Sequence, residues 1–272
     1  MKTLLKKIFL AGAATLTLCG TAMAQSVEVF WYGQAAFKIT SPGGKTIMID
    51  PWILQNPLTP PALKDLDAIG KIDVLLVTHA HTDHIADAPE IARRQKIPMY
   101  APADLNATLA TLGVLPAAQL PRFNKSGTIT PAPGIKVTAV KAEHSSVYLW
   151  NNPATGKTEA HPGGEPMGYI IELENGFKIY HMGDTGLFGD MKFIAEYYKP
   201  DLVLIPIGGN FTTAPADAAY AVREWLKPKY VVPMHYGANP FGRGTPEEFQ
   251  KALGELPGTK VFPIKPGEKI SF

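Results

Sequence analysis

The chain has 272 residues, of which 46% are apolar, and its 26 Lys and Arg nearly balance its 24 Asp and Glu. This length and composition can bury a substantial core, as one large domain or two small ones. The near-neutral charge, without a long run of one sign, gives no indication of nucleic acid or an anionic membrane surface as a partner.

The N-terminal segment MKTLLKKIFLAGAATLTLCGTAMA, residues 1–24, predicts a removable secretory signal. Three lysines and no acidic residue accompany an apolar stretch and a small-x-small cleavage site that ends at Ala24. A buried helix is the alternative; the segment is too short and too basic at its start to span a membrane. Cleavage after Ala24 would leave residues 25–272 periplasmic or secreted, with 23 Lys and Arg against 24 Asp and Glu and no stable membrane insertion.

Cys19 is the only cysteine and would leave with the signal. The mature chain would then form no disulfide, and any metal must be held by His and carboxylate. Lipidation of Cys19 is an open alternative, although Leu18 is bulkier than the residue that normally precedes a lipidated cysteine.

The rest of the chain predicts interleaved strands and helices, an α/β pattern. Apolar runs predict strands near residues 27–40, 46–50, 73–78, 135–140, 168–173, 177–182, 202–207 and 230–234. Proline or acidic residues in a first turn predict helices in DAPEIARRQ, in MKFIAEYY after Asp190, in TAPADAAYAVREWL and in TPEEFQKALGE. Thr245 and Glu248 form a predicted capping box at the start of the last helix.

Two stretches of the sequence resemble each other and indicate two similar halves. AFKITSPGGKTIMIDPW and GYIIELENGFKIYHMGDTG each read as a strand, a turn and a second strand that ends in an aspartate, Asp50 or Asp184. IDVLLVTHAH and PDLVLIPIGG, which follow them, each read as a buried strand ending in a polar loop.

The densest group of polar side chains is THAHTDH, directly after a predicted buried strand. His79 and His81 lie two residues apart in extended chain, so that their rings can point the same way, and Asp83 and His84 follow as the chain turns. One pair can hold one metal ion and the other pair a second. Imidazole and carboxylate suit Zn²⁺ and its neighbours, with Mn²⁺ or iron also possible.

Further ligands should follow other strands, and His144, Asp184 and His235 each do so. Buried imidazoles and carboxylates without partners are costly, which favours cations over a chance cluster. Each of these three has a structural alternative, such as a turn aspartate for Asp184. His161, in a polar loop, and His181, whose strand parity opposes that of Asp184, are expected to be structural.

The motifs THAHTDH, EHSS, HMGDTG and PMHYG together resemble those of the metallo-β-lactamase superfamily, and the resemblance covers nearly all of the mature chain. With PIGGNFTT, the pattern is most similar to metal-dependent hydrolases related to ascorbate-6-phosphate lactonase. The resemblance implies an α/β fold, a four-layer αββα sandwich, as a single metallo-hydrolase domain over residues 25–272, with metals at the edge of the sandwich.

The resemblance also implies the roles of individual residues. One metal would be held by His79, His81 and His144, and a second by Asp83, His84 and His235. Asp184 would bridge the two ions, and Asp50 would position the ligand loop from behind. Dedicated zinc β-lactamases lack an aspartate at the bridging position, so Asp184 argues against an antibiotic hydrolase. The predicted export, in contrast, is typical of a β-lactamase.

The leading hypothesis is therefore an exported dinuclear hydrolase in which a metal-bound hydroxide attacks a small ester, lactone or phosphodiester. Asp83 is the predicted catalytic residue, which would orient the nucleophile and relay its proton. The alternatives are an iron-dependent sulfur oxidoreductase of the same fold, a promiscuous β-lactamase and a non-catalytic metal-binding protein.

Residues that flank the predicted ligands or follow the strand in LVLIPIGG are candidates for the substrate pocket. They are Asn210, Thr212, Thr213, Tyr236 and the loop from Ser145 to Trp150. The two threonines are also suited to capping the next helix, and Tyr148 and Trp150 to packing. The polar loop 151–166 is expected to be a mobile lid.

Overall fold

The computed structural model describes residues 26–272, so the predicted signal lies outside the described residues. In chain order the strands are β1 (Glu28–Gly33), β2 (Ala36–Thr40), β3 (Thr46–Ile49), β4 (Val74–Leu76), β5 (Met99–Pro102), β6 (Arg122–Phe123), β7 (Thr128–Ala132), β8 (Ile135–Lys141), β9 (Val147–Asn151), β10 (Thr158–Pro162), β11 (Met167–Glu172), β12 (Lys178–His181), β13 (Leu202–Pro206), β14 (Tyr230–Met234), β15 (Lys260–Val261) and β16 (Lys269–Ser271). The helices are α1 (Thr82–Ile85), α2 (Ala88–Gln95), α3 (Ala103–Thr111), α4 (Asp190–Tyr198), α5 (Pro215–Tyr220) and α6 (Pro246–Leu253).

Two seven-stranded sheets form the centre of the fold. The first has the order β16-β1-β2-β3-β4-β5-β6 and the second β15-β14-β13-β12-β11-β8-β7, while β9 and β10 form a separate hairpin. In both sheets an antiparallel part passes into a parallel part, which begins with the pair β3–β4 in one and β12–β13 in the other. The predicted internal resemblance is therefore real: β2–β3–β4 corresponds to β11–β12–β13.

The alternation of side chains along the strands creates three apolar layers. In β1, Val29 and Trp31 belong to the core between the sheets, and Tyr32 to the core under the helices. In β13, Leu204 faces the other sheet and Val203 faces the helices in the same way. This period of two buries both faces of each sheet.

Helices cover the two outer faces of the sheets. Helices α2 and α3 contribute buried residues to the core on the first sheet, whereas α4, α5 and α6 contribute to the core on the second. The capping box is present, since the Thr245 hydroxyl accepts from the Glu248 amide while the Glu248 carboxylate accepts from the Thr245 amide. The four-layer αββα sandwich is confirmed. None of the helices within residues 26–272 is long and apolar enough to cross a membrane.

Some predicted elements were wrong. The single strand 27–40 is a hairpin of β1 and β2, because the chain turns at Gln34, which has a φ of 53°. The predicted helix 213–226 begins at Pro215 and continues after Tyr220 as a wider π-helical segment, Ala221–Leu226. The predicted loop 151–166 contains β10 and the end of β9.

Candidate metal centre

The residues of THAHTDH leave the end of β4 and enter the short helix α1. His79 is buried, and His81 is the last extended residue before the helix, with a φ of −64° and a ψ of 146°. Asp83 and His84 follow in the first turn. Because the chain changes from extended to helical here, the side chains of Asp83 and His84 point away from those of His79 and His81. One segment can therefore supply ligands to two metal positions.

The other predicted ligands arrive from the second sheet. His144 follows β8, Asp184 follows β12, and His235 comes directly after β14 with a φ of 57°. These strands end at one edge of the second sheet, opposite the end of β4. The site is therefore formed where the two halves of the sandwich meet.

The donor atoms form two clusters. In each, the potential ligand atoms lie within 4.8 Å of one another. The three-histidine cluster contains His79, His81 and His144, and the mixed cluster contains Asp83, His84, Asp184 and His235.

Asp184 faces both clusters. Its Oδ1 lies 3.2 Å from His84 Nε2 and 3.0 Å from His235 Nε2, and its Oδ2 lies 3.5 Å from His144 Nε2. One carboxylate oxygen is thus directed towards each cluster, which is the geometry that a bridging ligand needs.

The arrangement of the donor atoms is better explained by bound metal ions than by hydrogen bonds among the donor atoms themselves. His81 Nδ1 lies 3.0 Å from His79 Nε2 and 3.3 Å from His144 Nε2, although neutral imidazoles have one donor each to share. His84 Nε2 and Asp184 Oδ1 are buried and lie 3.2 Å apart, but neither makes a hydrogen bond of acceptable geometry with the described residues. Since buried polar atoms are normally satisfied, cations between these atoms account for the arrangement.

Asp50 orients two of the histidines from behind. Its Oδ2 lies 2.7 Å from His84 Nδ1 and accepts a hydrogen bond of 2.6 Å from the Thr78 hydroxyl. That hydroxyl lies 3.1 Å from His79 Nδ1 and, having given its proton to Asp50, can accept the imidazole N–H. Nδ1 of His79 and of His84 then carries a proton that points away from the centre, so Nε2 is the nitrogen that would coordinate a metal.

The charge environment differs between the clusters. Burial lowers the pKa of His79, His81 and His144, so these rings are neutral. Burial also opposes charge on His84 and His235, but the Asp184 carboxylate helps to outweigh it. The pKa of His84 is held well above its usual range, and that of His235 is raised to about 9.

The turn at Gln34 contacts the mixed cluster, a contact that the sequence did not predict. Gln34 Nε2 donates to Asp83 Oδ2 at 2.9 Å and lies 2.8 Å from His235 Nε2. The main-chain carbonyl oxygen of Gln34 accepts hydrogen bonds from the His235 amide and from Trp31 Nε1. Placing residues 27–40 in one strand concealed the turn, although the Gly-Gln pair in WYGQAAF was its available signal.

A cavity of about 540 Å³ opens over the clusters. Its lining residues are Trp52, His81, Asp83, His144, Ser145, Asp184, Phe211, His235, Asn239 and Phe241. Asp83 is the more accessible of the cluster carboxylates, with 29% of its side chain exposed against 4% for Asp184.

The predicted pocket needs correction, because Asn210, Thr212 and Tyr236 do not line this cavity. Thr212 is buried, and Phe211 beside it lines the cavity instead. The Tyr236 ring is half-buried and packs against Trp31 at the margin of the core, at 5.5 Å between centroids.

Of the other predicted pocket residues, only some lie at this cavity. Ser145 lines the cavity, whereas Tyr148 contributes to a different depression on the outer side of α1. Trp150 packs against His161, and the Thr213 hydroxyl donates to the Pro206 carbonyl rather than capping a helix.

The two histidines that were expected to be structural lie outside both clusters. His181 is buried, and its Nε2 and Nδ1 are satisfied by the Ala35 carbonyl and the Gly183 amide. His161 lies on β10 beside Glu159.

Comparison with known proteins gives a consistent result. A family model for the beta-lactamase superfamily domain matches residues 45–236. A "UPF0173 metal-dependent hydrolase" from Polaromonas sp. is 66% identical over 274 residues, spanning 100% of both chains. A protein of the same description from Polynucleobacter asymbioticus is 60% identical over 286 residues, again across 100% of both. The solved structure of Igni18, described as a novel metallo hydrolase from Ignicoccus hospitalis, is 36% identical, has a TM-score of 0.77 and covers 91% of this chain and 98% of its own.

Proposed function

Because this chain belongs to the beta-lactamase superfamily and is a metal-dependent hydrolase, we propose that it works with two metal ions on a small ester, lactone or phosphodiester. The observation that carries the proposal is the pair of adjacent donor clusters with Asp184 between them. A single metal ion would leave one of these clusters unsatisfied.

Each cluster would hold one ion. His79, His81 and His144 offer three neutral imidazoles, and Asp83, His84 and His235 offer two imidazoles and a carboxylate. The Asp184 carboxylate would be shared. Zinc is the metal that this ligand set favours, while Mn²⁺ and iron accept the same side chains.

Two divalent ions at this position would lower the pKa of a shared water towards about 7 and polarise the oxygen of the substrate. The chain supplies the proton acceptor. Asp83 lines the cavity, and Gln34 holds its Oδ2, so its carboxylate is fixed where a nucleophile and a substrate meet. It can therefore orient the nucleophile and take its proton.

Asp184→Asn tests the proposal. The variant keeps the shape of the side chain but loses the negative charge that two cations would share, so we expect metal content and hydrolysis to fall together. His161→Ala is the matched control, a histidine outside both clusters that should retain both ions. Measurements are elemental analysis and turnover of lactones, esters and phosphodiesters. Full metal content and full activity in Asp184→Asn would remove it from the bridge, and one iron per wild-type chain would favour sulfur oxidation.

We also propose that the enzyme acts outside the cytoplasm after cleavage behind Ala24. The basic, apolar and small-residue pattern of residues 1–24 supports this location. N-terminal sequencing of protein from the periplasm or medium should begin at Gln25. Recovery of the intact N-terminus from the cytoplasm alone would contradict export.

A further inference from the structure

We propose that the substrate is an uncharged lactone or carboxylic ester whose apolar group binds against Trp52, Phe211 and Phe241, here called the aromatic rim. This inference rests on the proposed hydrolase function and narrows it. It commits to the carbonyl compounds, excludes a charged group away from the reacting bond and adds a requirement for an apolar substituent.

The composition of the cavity wall supports an uncharged substrate. Among the described residues that line the cavity, the charged and imidazole side chains all belong to the two donor clusters, and no lysine or arginine is present. A phosphate or carboxylate on the substrate, away from the reacting bond, would have no side-chain cation to pair with, and a desolvated anion without a partner is costly. The remaining polar side chains in the wall, Ser145 and Asn239, are neutral.

The aromatic rim supplies the apolar surface. Phe211 and Phe241 are 55% and 59% exposed, and their rings meet edge to face at 5.9 Å between centroids. Exposed large apolar side chains grouped at a concave site are typical of ligand-binding surfaces. A substrate chain lying on these rings would remove part of this surface from water.

The loops that carry the two phenylalanines are fixed to each other by their backbones. The Gly244 amide donates to the Gly208 carbonyl at 3.1 Å. A Cβ on Gly208 would come within 2.3 Å of the His235 carbonyl oxygen, and one on Gly244 within 1.9 Å of the Ile207 carbonyl oxygen. This close approach requires glycine at both positions and attaches the rim to the chain at His235.

Local turns complete the positioning. The Asn239 side-chain oxygen accepts from the amides of Phe241 and Gly242, at 2.9 Å and 2.8 Å. On the other side of the cavity, the Trp52 amide donates to the Asp50 carbonyl. The rim is thus attached directly to residues that hold or orient the metal ligands, so it can set the distance between an apolar substituent and the reacting carbonyl.

The test compares ligands that differ only in their apolar chain. Acetohydroxamic and octanohydroxamic acid have the same metal-binding head group, so calorimetry on the zinc-loaded protein reports the effect of the chain without turnover. We expect octanohydroxamic acid to bind about tenfold more tightly than acetohydroxamic acid. This ratio should fall towards one in Phe211→Ala and Phe241→Ala.

Phe193→Ala is the matched control. Phe193 is 60% exposed and stacks on Tyr197 on helix α4, away from the cavity, so its removal should leave the ratio unchanged. Equal affinity of the wild type for the two hydroxamates, a ratio unchanged in both rim variants, or no binding of octanohydroxamic acid would overturn the inference.

Lactone turnover separates this inference from the proposed function. δ-Valerolactone and δ-decalactone share the reacting ring and differ by a pentyl chain. We expect kcat/KM to be about tenfold higher for δ-decalactone. Hydrolysis of both at equal kcat/KM would support the hydrolase and overturn the rim's role. Chain-dependent hydroxamate binding without hydrolysis of either lactone would support the rim as a binding surface and contradict the reaction.

Discussion

At the scale of single residues, the protonation of the histidines decides what the site can bind. Asp50 accepts from Thr78 and from the Nδ1 side of His84, so a buried carboxylate, rather than the ligands alone, determines which ring nitrogen faces the centre. The Asp50 backbone has a φ of 46°, a region that non-glycine residues rarely adopt. Such strain is characteristic of residues held in place for function.

Asp50→Asn should therefore weaken metal binding without emptying the clusters. In the wild type, Asp50 Oδ1 accepts from the Thr78 amide and Oδ2 accepts from His84 Nδ1 and the Thr78 hydroxyl. An asparagine has one oxygen for these two positions, so its NH₂ must face either the N–H of His84 Nδ1 or the N–H of Thr78. We expect the affinity for metal to fall about 10- to 100-fold, measured by competition with a chromogenic chelator. Asp73→Asn is the control, because Asp73 accepts from the Thr46 amide far from the clusters. An unchanged affinity in Asp50→Asn would show that His84 is oriented by other contacts.

The two clusters should respond differently to pH. In the metal-free protein the pKa of His235 is about 9 and that of His84 is well above its usual range, so both are protonated at neutral pH. A metal entering the mixed cluster must displace these protons, and its affinity should fall as the pH falls. The rings of the three-histidine cluster have lowered pKa values and are already neutral, so metal binding there should release none.

Calorimetry in buffers of different ionisation enthalpy measures this proton release. We expect about two protons for one metal ion and close to none for the other. Equal release by both ions would contradict the assigned difference between the clusters.

At the scale of elements, the hairpin β9–β10 is attached to the ligand loop. The Ser146 hydroxyl accepts from the Ala80 amide, between His79 and His81, and donates to the Gly163 carbonyl at 2.9 Å. A Cβ on Gly163 would lie 2.4 Å from the Ser146 hydroxyl and 2.6 Å from the Ala80 Cβ. The base of the hairpin therefore fits closely against the loop that carries two ligands.

Gly163→Ala should displace this loop. We expect reduced metal affinity at the three-histidine cluster, with a destabilisation of about 1 to 3 kcal/mol from overpacking. Thermal unfolding and metal titration check the two effects. Gly189→Ala is the control, because a Cβ there would meet nothing within 4 Å. Equal metal affinity in the two variants would show that the hairpin does not position the ligands.

The sequence predicts the elements whose signals are local and repeated. The strands before the ligands are apolar runs, and THAHTDH combines several costly polar groups in one place, so ligand positions follow from strand ends. Short strands such as β6 and β15 have two residues each and no measurable periodicity. Helix α3 follows Pro102 without a side-chain cap, so apart from Asp104 in its first turn it lacks the start signals that reveal α6.

Contacts between distant segments were not predictable in the same way. Gln34 reaches Asp83 across 49 positions of the chain, and only the folded turn brings them together. Asn210 and Thr212 are predicted pocket residues because they follow the strand in LVLIPIGG, but Phe211 between them is the residue that lines the cavity. Which of three adjacent residues faces a cavity depends on loop geometry, which composition does not specify.

At the scale of the whole molecule, the clusters join the two halves of the sandwich. His79, His81 and His84 follow the first sheet, whereas His144, Asp184 and His235 follow strands of the second. Metal ions between them would connect segments that are otherwise held together by the apolar core. Metal binding should therefore contribute to the stability of the entire fold.

Removal of metal by a chelator should lower the melting temperature of the protein by about 10 °C or more. At a free concentration about 100 times its Kd, each ion stabilises the folded state by about 3 kcal/mol. Scanning calorimetry with and without chelator measures the change, and added zinc should reverse it. An unchanged melting temperature would show that the halves do not depend on metal for their association.

The most direct test of two metal ions in adjacent clusters is an anomalous difference map from crystals of the zinc-loaded protein. We expect two peaks per chain, with Asp184 between them. One should lie about 2.0 to 2.1 Å from the imidazole nitrogens of His79, His81 and His144, and the other at a similar distance from the side chains of the mixed cluster. A single peak, or peaks away from these side chains, would contradict this expectation.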